Sequence, residues 1–140
     1  MSKPNPARWA GVCAGGYFAA AAVYLGNVVV LAVFRPGAPL LVLTMGSLPV
    51  ICALMGGLVL SGRRRAPRLA VVAAGGFSAV HLIGVAYLFL VSPYYSASTP
   101  TQSLQWQLGT SLLFLWLCVL WTAFRLAKAS DASGPESPVG

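Results

Sequence analysis

Ser61-Gly62-Arg63-Arg64-Arg65-Ala66-Pro67-Arg68 is the stretch that decides the fold, since it holds four of the nine basic residues and lies near the middle of the chain. Long runs with almost no charged residue lie on both sides of it. Positively charged loops stay on the cytoplasmic side of a membrane, so these arginines orient the apolar runs around them. The stretch therefore predicts a cytoplasmic loop between two helical hairpins.

The composition of the whole chain indicates a bilayer as its surroundings. Of the 140 residues, 58% are hydrophobic and only 8% are charged, and the mean hydropathy is +0.80. A soluble domain carries about 25% charged residues, so this chain has too few to cover a surface in water. Frequent alanine, glycine, valine and arginine are typical of GC-rich bacterial genomes, so we expect a bacterial plasma membrane.

The net charge of +7 would suit a nucleic-acid partner, but the placement of the cations argues against one. They lie at the ends of apolar runs and in one short loop, where they anchor membrane helices. The three cysteines, Cys13, Cys52 and Cys118, lie inside apolar runs and lack the spacing of zinc ligands. We therefore expect them to act as small apolar residues within helices. We predict neither nucleic-acid binding nor a metal site.

Four apolar runs have the length that a membrane helix needs, which is about 20 residues. The predicted fold class is all-α integral membrane, with two tandem hairpins and transmembrane helices at about residues 9–34, 40–61, 68–91 and 103–127. Proline, glycine and polar residues separate the helices within each hairpin. Residues 1–8 are predicted to be a cytoplasmic N-terminus, and residues 128–140 a disordered cytoplasmic tail.

The cations are distributed unequally between the two sides of this arrangement. The termini and the central loop carry eight of them, namely Lys3, Arg8, Arg63, Arg64, Arg65, Arg68, Arg125 and Lys128. The two loops on the opposite side carry only Arg35. This distribution predicts four spans with both termini in the cytoplasm.

The two hairpins begin with similar sequences. Residues 8–19 (RWAGVCAGGYFA) and 68–79 (RLAVVAAGGFSA) are identical at seven of twelve positions. This similarity predicts a parallel internal repeat, with a pseudo-twofold axis along the membrane normal. Chance is the alternative, because alanine, glycine and valine are frequent throughout the chain.

The repeat places small residues at the spacing that lets helices pack closely in lipid. The residues predicted to pack helices together are Gly11, Gly15, Gly16, Ala70, Ala74, Gly75 and Gly76. We expect the first and third helices to cross near Gly15 and Gly16 of one and Gly75 and Gly76 of the other.

His81 is the only histidine and lies near the middle of the third helix. An ionisable residue at that depth suggests a function by default. It could line a ligand pocket in the outer half of the bundle with other polar residues, namely Asn27, Thr44, Ser47, Gln107 and Thr110. The alternatives are separate interhelical hydrogen bonds, or, as a weaker hypothesis, a haem ligand; otherwise no cofactor is expected.

Catalytic groups are scarce in the predicted spans, which contain no aspartate or glutamate. Metal-dependent phosphotransfer and a serine nucleophile rely on such carboxylates, and coupled transport usually relies on them or on broken helices. We therefore expect a non-enzymatic protein that works through association, as an accessory subunit of a membrane complex or as a homo-oligomer. The alternative is a small transporter or ligand-binding protein that uses the polar pocket. Arg63, Arg64, Arg65 and Arg68 are expected to set the topology and to contact lipid headgroups.

Overall fold

The computed structural model describes residues 5–34, 39–91 and 100–133, and within these ranges every regular element is an α-helix. The four helices are α1 (Pro6–Phe34), α2 (Pro39–Leu60), α3 (Ala66–Val91) and α4 (Pro100–Ala132). Three stretches are long and apolar enough to cross a membrane, namely Pro6–Val30, Ala66–Leu88 and Gln107–Ala132. The apolar stretch of α2, Met45–Leu60, is shorter. The all-α class is confirmed and is compatible with membrane insertion, while four spans stay a prediction.

The central basic stretch forms the loop between α2 and α3. Gly62 has a φ of 66°, a left-handed conformation that ends α2 without the strain a side chain would add. The Ser61 hydroxyl donates to the carbonyl of Leu58 at 2.7 Å and satisfies one of the last helical acceptors. Pro67 then lies in the first turn of α3, where its missing N–H costs no helical hydrogen bond.

The helices pack in the order α2, α1, α4, α3, so that α1 and α4 are the inner pair. Helices α2 and α3 approach each other at only a few positions. No Cα atom of the described part of α1 comes within 8 Å of a Cα atom of α3. The predicted crossing of the first and third helices is therefore wrong. The physical reason is the bulk of the aromatic side chains between the two helices, which come from Trp116 of α4 and from Tyr17 and Tyr24 of α1.

The core is built around large aromatic side chains of α4 and α1, with smaller side chains packed between them. Trp116 and Val119 of α4 are buried, as are Tyr17 and Cys13 of α1 and Cys52 of α2. The opposite faces of the helices are apolar and exposed; on α3, for example, Val72, Val80 and Ile83 are all more than 60% exposed. Exposed apolar faces on all sides are what a bilayer, rather than water, can solvate.

Helix α4 continues to Ala132, into the segment predicted to be a disordered tail from residue 128. Leu126 and Ala129 are buried and extend the packed face of α4 beyond the apolar run. Asp131 then lies 3.7 Å from Arg68 at the start of α3. Residues 134–140 of the predicted tail lie outside the described residues.

Candidate functional site

Trp116 forms the centre of an aromatic cluster that joins three helices. Its ring stacks on Phe77 of α3, with 4.3 Å between centroids and 6° between planes. Tyr17 of α1 meets the same ring edge-on, at 5.6 Å and 72°. Phe77 and Tyr17 occupy equivalent positions in the predicted repeat, so one α4 side chain is held between the two related segments. The repeat itself stays a prediction.

A row of hydrogen bonds runs from this tryptophan to His81. The Trp116 indole N–H donates to the Tyr24 hydroxyl at 2.9 Å. The Tyr24 oxygen lies 3.0 Å from His81 Nε2, and His81 Nδ1 lies 2.8 Å from the carbonyl oxygen of Phe77. Because that carbonyl can only accept, Nδ1 carries a proton, and in that tautomer Nε2 accepts from Tyr24. Every donor in the row therefore has an acceptor.

This row accounts for both ring nitrogens of His81, which is partly buried. A ligand or a haem iron at Nε2 would have to displace the hydroxyl of Tyr24. An unpaired polar group inside a bilayer costs roughly several kcal/mol of stability. Breaking one hydrogen bond of the row would therefore leave its donor and acceptor with that cost. The geometry favours the alternative in which His81 makes an interhelical hydrogen bond.

A second tyrosine of α1 makes a further link to α3. The buried hydroxyl of Tyr17 donates to the carbonyl of Ala70 at 2.6 Å. Since the backbones of α1 and α3 stay apart, the two tyrosines reach across the bundle in place of direct helix contact. Ala70 and Ala74 are fully buried and leave room for these rings.

The tyrosines, Phe77 and Trp116 were not among the predicted site residues. The spacing of these residues along the sequence does contain a signal that they share helix faces. Tyr17 and Tyr24 are seven residues apart and lie on one face of α1, as Phe77 and His81, four residues apart, do on α3. Spacing alone does not show which face turns inward.

The other predicted pocket residues have varied surroundings. Asn27 is partly buried, whereas Ser47, Gln107 and Thr110 are exposed. The Thr110 hydroxyl donates to the carbonyl of Gln107 at 3.2 Å, within its own helix. The side chain of Thr44 lies outside the described residues. Convergence of these residues on one pocket with His81 stays a prediction.

The glycines predicted to pack helices fall into two groups. A Cβ atom added at Gly16 would lie 2.7 Å from Val119 Cγ2 of α4, and one at Gly75 would lie 4.0 Å from Leu120 of the same helix. Added at Gly11, Gly15 or Gly76, it would meet no atom within 4 Å. The first group packs on α4, and the second faces away from the bundle.

A large basic cavity lies at the end of the bundle that carries the central loop. Its volume is about 1080 Å³, and its lining comes from the start of α1, the loop between α2 and α3, and the end of α4. Four arginines contribute to the lining, namely Arg63, Arg64, Arg65 and Arg68. The structure therefore brings the predicted headgroup-contacting residues together around one concave surface.

An arginine in contact with a pair of tryptophans lies near this end of the bundle. The Arg125 guanidinium carbon is 5.2 Å from the ring centroid of Trp9 and 5.3 Å from that of Trp121. The two rings meet edge-to-face at 5.5 Å. Such cation–π contacts join α1 to α4 where tryptophan is favoured, at the edge of the apolar layer.

The site residues thus form two separate groups, a central row whose polar atoms bond one another and a cationic cavity at one end. Within the described ranges, no three histidine, cysteine, aspartate or glutamate side chains come together as metal ligands would. No protein-family model, curated protein or solved structure matches the chain.

Proposed function

We propose that this protein works by association inside the membrane, as an accessory or structural subunit of a membrane complex or as a homo-oligomer. In this proposal it is not an enzyme. It crosses a bacterial plasma membrane four times, with both termini in the cytoplasm.

The outer face of α1 carries this proposal. Gly11 and Gly15 are exposed, and neither has an atom within 4 Å of an added Cβ position. At 100° per residue, exposed Ala19, Ala22 and Gly26 continue the same face along the helix. Two other faces of α1 are already packed on α2 and α4. Small residues at this spacing let a second helix approach closely in lipid, so the face suits a helix of another chain.

The positions of the start of α1 and the end of α4 support an even number of spans. The start of α1, at Pro6 and Ala7, and the end of α4, at Ser130 and Asp131, line the same cavity as the arginine loop. Helices that begin and end at one side of a bundle cross it an even number of times. Positive loops and flanks at that side favour the cytoplasm for it.

The alternative function, a small transporter or ligand-binding protein, has weaker support. It needs His81 to exchange the hydroxyl of Tyr24 for a ligand. Replacing Asn27 and His81 separately by alanine tests it: lost ligand binding with unchanged assembly would favour the pocket. Lower yield of folded protein in both variants would favour packing.

Native mass spectrometry of protein extracted gently from its own membranes tests the association directly. We expect a mass that contains other chains or several copies of this one. The Gly15→Leu variant should reduce that species at least several-fold, because leucine holds the partner helix away. Gly76→Leu is the matched control, since Gly76 is also exposed and open but lies on α3 outside the proposed face. A monomeric native protein, or equal losses in both variants, would contradict the proposal.

A further inference from the structure

We propose that the basic cavity is a binding site for an anionic phospholipid whose headgroup carries two phosphates, of the cardiolipin type. This site uses residues other than the outer face of α1, so it is independent of the proposed association. In this proposal the central loop binds a ligand and also sets the topology.

The cavity combines an apolar floor with a cationic rim. Ala10, Val59 and Leu126 lie inside it, and Val59 and Leu126 are almost fully buried. The four arginines of the loop and of the first turn of α3 form the rim. An amphiphile, with phosphate at the rim and acyl chain against the floor, matches both parts.

The cavity lies at the depth where lipid headgroups are found. Two of the three candidate spans begin beside it, at Pro6 and Ala66, and the third ends beside it, at Ala132. A phosphate bound at the rim would therefore lie level with the headgroups of that leaflet. This position favours a lipid over a free phosphate compound as the ligand.

The charges of the cavity are strongly unbalanced. Among the described residues that line it, Asp131 is the only carboxylate, against four arginines, which leaves an excess of three positive charges. Asp131 is 3.7 Å from Arg68, and both side chains are at least 69% exposed, so this pair contributes little. Arg63, Arg64 and Arg65 have no carboxylate within ion-pair distance among residues 5–34, 39–91 and 100–133.

The helix dipoles do not change this balance. The N-termini of α1 and α3 and the C-termini of α2 and α4 all lie at this end. Two partial positive and two partial negative ends largely offset one another. The arginine side chains therefore set the potential inside the cavity.

The cations that the described part of the chain contributes to the rim are all arginines, and this bears on the ligand. A guanidinium presents a planar fork of donors that binds two phosphate oxygens at once. Three arginines without carboxylate partners can serve two phosphates, whereas a lipid with one phosphate would leave most of the excess charge unbalanced. The charge count therefore favours the two-phosphate headgroup.

A titration of the delipidated full-length protein in detergent tests this site, with binding followed by native mass spectrometry. We expect one bound cardiolipin that phosphatidylglycerol displaces only in excess and phosphatidylcholine does not displace. The Arg63→Gln/Arg64→Gln variant should bind cardiolipin about 25-fold more weakly, which is about fivefold for each arginine near a surface. The arginines are exposed, so the fold should survive, as helix content and thermal stability will show.

The matched control is Arg8→Gln/Lys128→Gln, which removes the same charge from exposed positions outside the cavity lining. Its loss of affinity should stay below about fivefold because salt screens these more distant charges. Equal losses in both double variants would overturn the site, since binding would then follow net charge alone.

Two further measurements separate the remaining possibilities. Inorganic pyrophosphate supplies two phosphates without acyl chains, and its binding as tightly as cardiolipin would overturn the assignment to a lipid. The Arg63→Lys/Arg64→Lys variant keeps both positive charges but loses the planar guanidinium groups, so we expect it to bind cardiolipin several-fold more weakly. Unchanged affinity in that variant would contradict recognition of phosphate by guanidinium forks.

Discussion

The inner and outer faces of α1 carry similar small residues but have different surroundings. Gly16 faces α4, where an added Cβ atom would lie 2.7 Å from Val119, whereas Gly15, the next residue, has no atom within 4 Å of that position. The inner face also carries Tyr17 and Tyr24, whose hydroxyls bond across the bundle. The inner face is thus packed within the chain, and the outer face is the one that the proposed partner would contact. Similar glycines therefore have different neighbours according to the direction in which they point.

The largest effect on the inner face should come from Trp116→Ala. This change removes the fully buried ring on which Tyr17 and Phe77 pack, and the donor that bonds Tyr24. Large aromatic truncations in cores cost about 3–5 kcal/mol, so we expect a loss of that size in the free energy of unfolding, measured in detergent. Phe114→Ala, at a position 71% exposed on the same helix, is the control. Equal losses in both variants would place Trp116 outside the core.

Gly16→Leu should have the next largest effect. The new side chain would overlap Val119, and overpacking of this kind costs about 1–3 kcal/mol. Thermal unfolding in detergent measures the loss. A second change, Val119→Ala, should recover part of it by making room. Additive losses in the double variant would show that Gly16 and Val119 are not in contact.

Tyr24→Phe should destabilise the bundle less than either of these changes. It keeps the ring but leaves the Trp116 indole N–H and His81 Nε2 without the hydroxyl that joins them. Interhelical hydrogen bonds in membranes average about 0.6 kcal/mol, and unpaired partners add to that, so we expect about 1–2 kcal/mol. Tyr87→Phe, at a site 63% exposed on α3, should change stability little. Identical stability of the two variants would contradict the importance of the row.

Gly15→Leu should have the smallest effect on the folded monomer. Exposed substitutions usually stay within about 0.5 kcal/mol, and the leucine would extend from the outer face into lipid or detergent. The comparison with Gly16→Leu is informative because the two glycines are adjacent in the sequence. A Gly15 variant as unstable in monomeric detergent preparations as the Gly16 variant would show that the outer face is not open.

The sequence predicted the helical class well because length, apolarity and turn residues act locally. The predicted helices at about 40–61 and 68–91 lie within one or two residues of α2 (Pro39–Leu60) and α3 (Ala66–Val91) at each end. The predicted crossing of α1 with α3 failed because similarity between two segments does not show that they touch. Trp116 of α4, which lies outside both similar segments, packs on Phe77 of one and Tyr17 of the other.

The site was predictable only in part for the same reason. His81 was identified from its depth, and the arginines from their charge, since both properties belong to single residues. The partners of His81 depend on the rotation of α1 and α4 about their axes. A continuous apolar helix has nearly equal hydrophobicity on all sides, so its sequence carries little information about that rotation.

The row from Trp116 to Phe77 also has a consequence for the permeability of the membrane. A proton relay needs groups that take up a proton on one side and release it on the other. Here the row begins with an indole N–H, which only donates, and ends with a backbone carbonyl, which only accepts. Protons therefore have no route in or out through its two ends. The row around the histidine therefore does not by itself form a proton relay through the bundle.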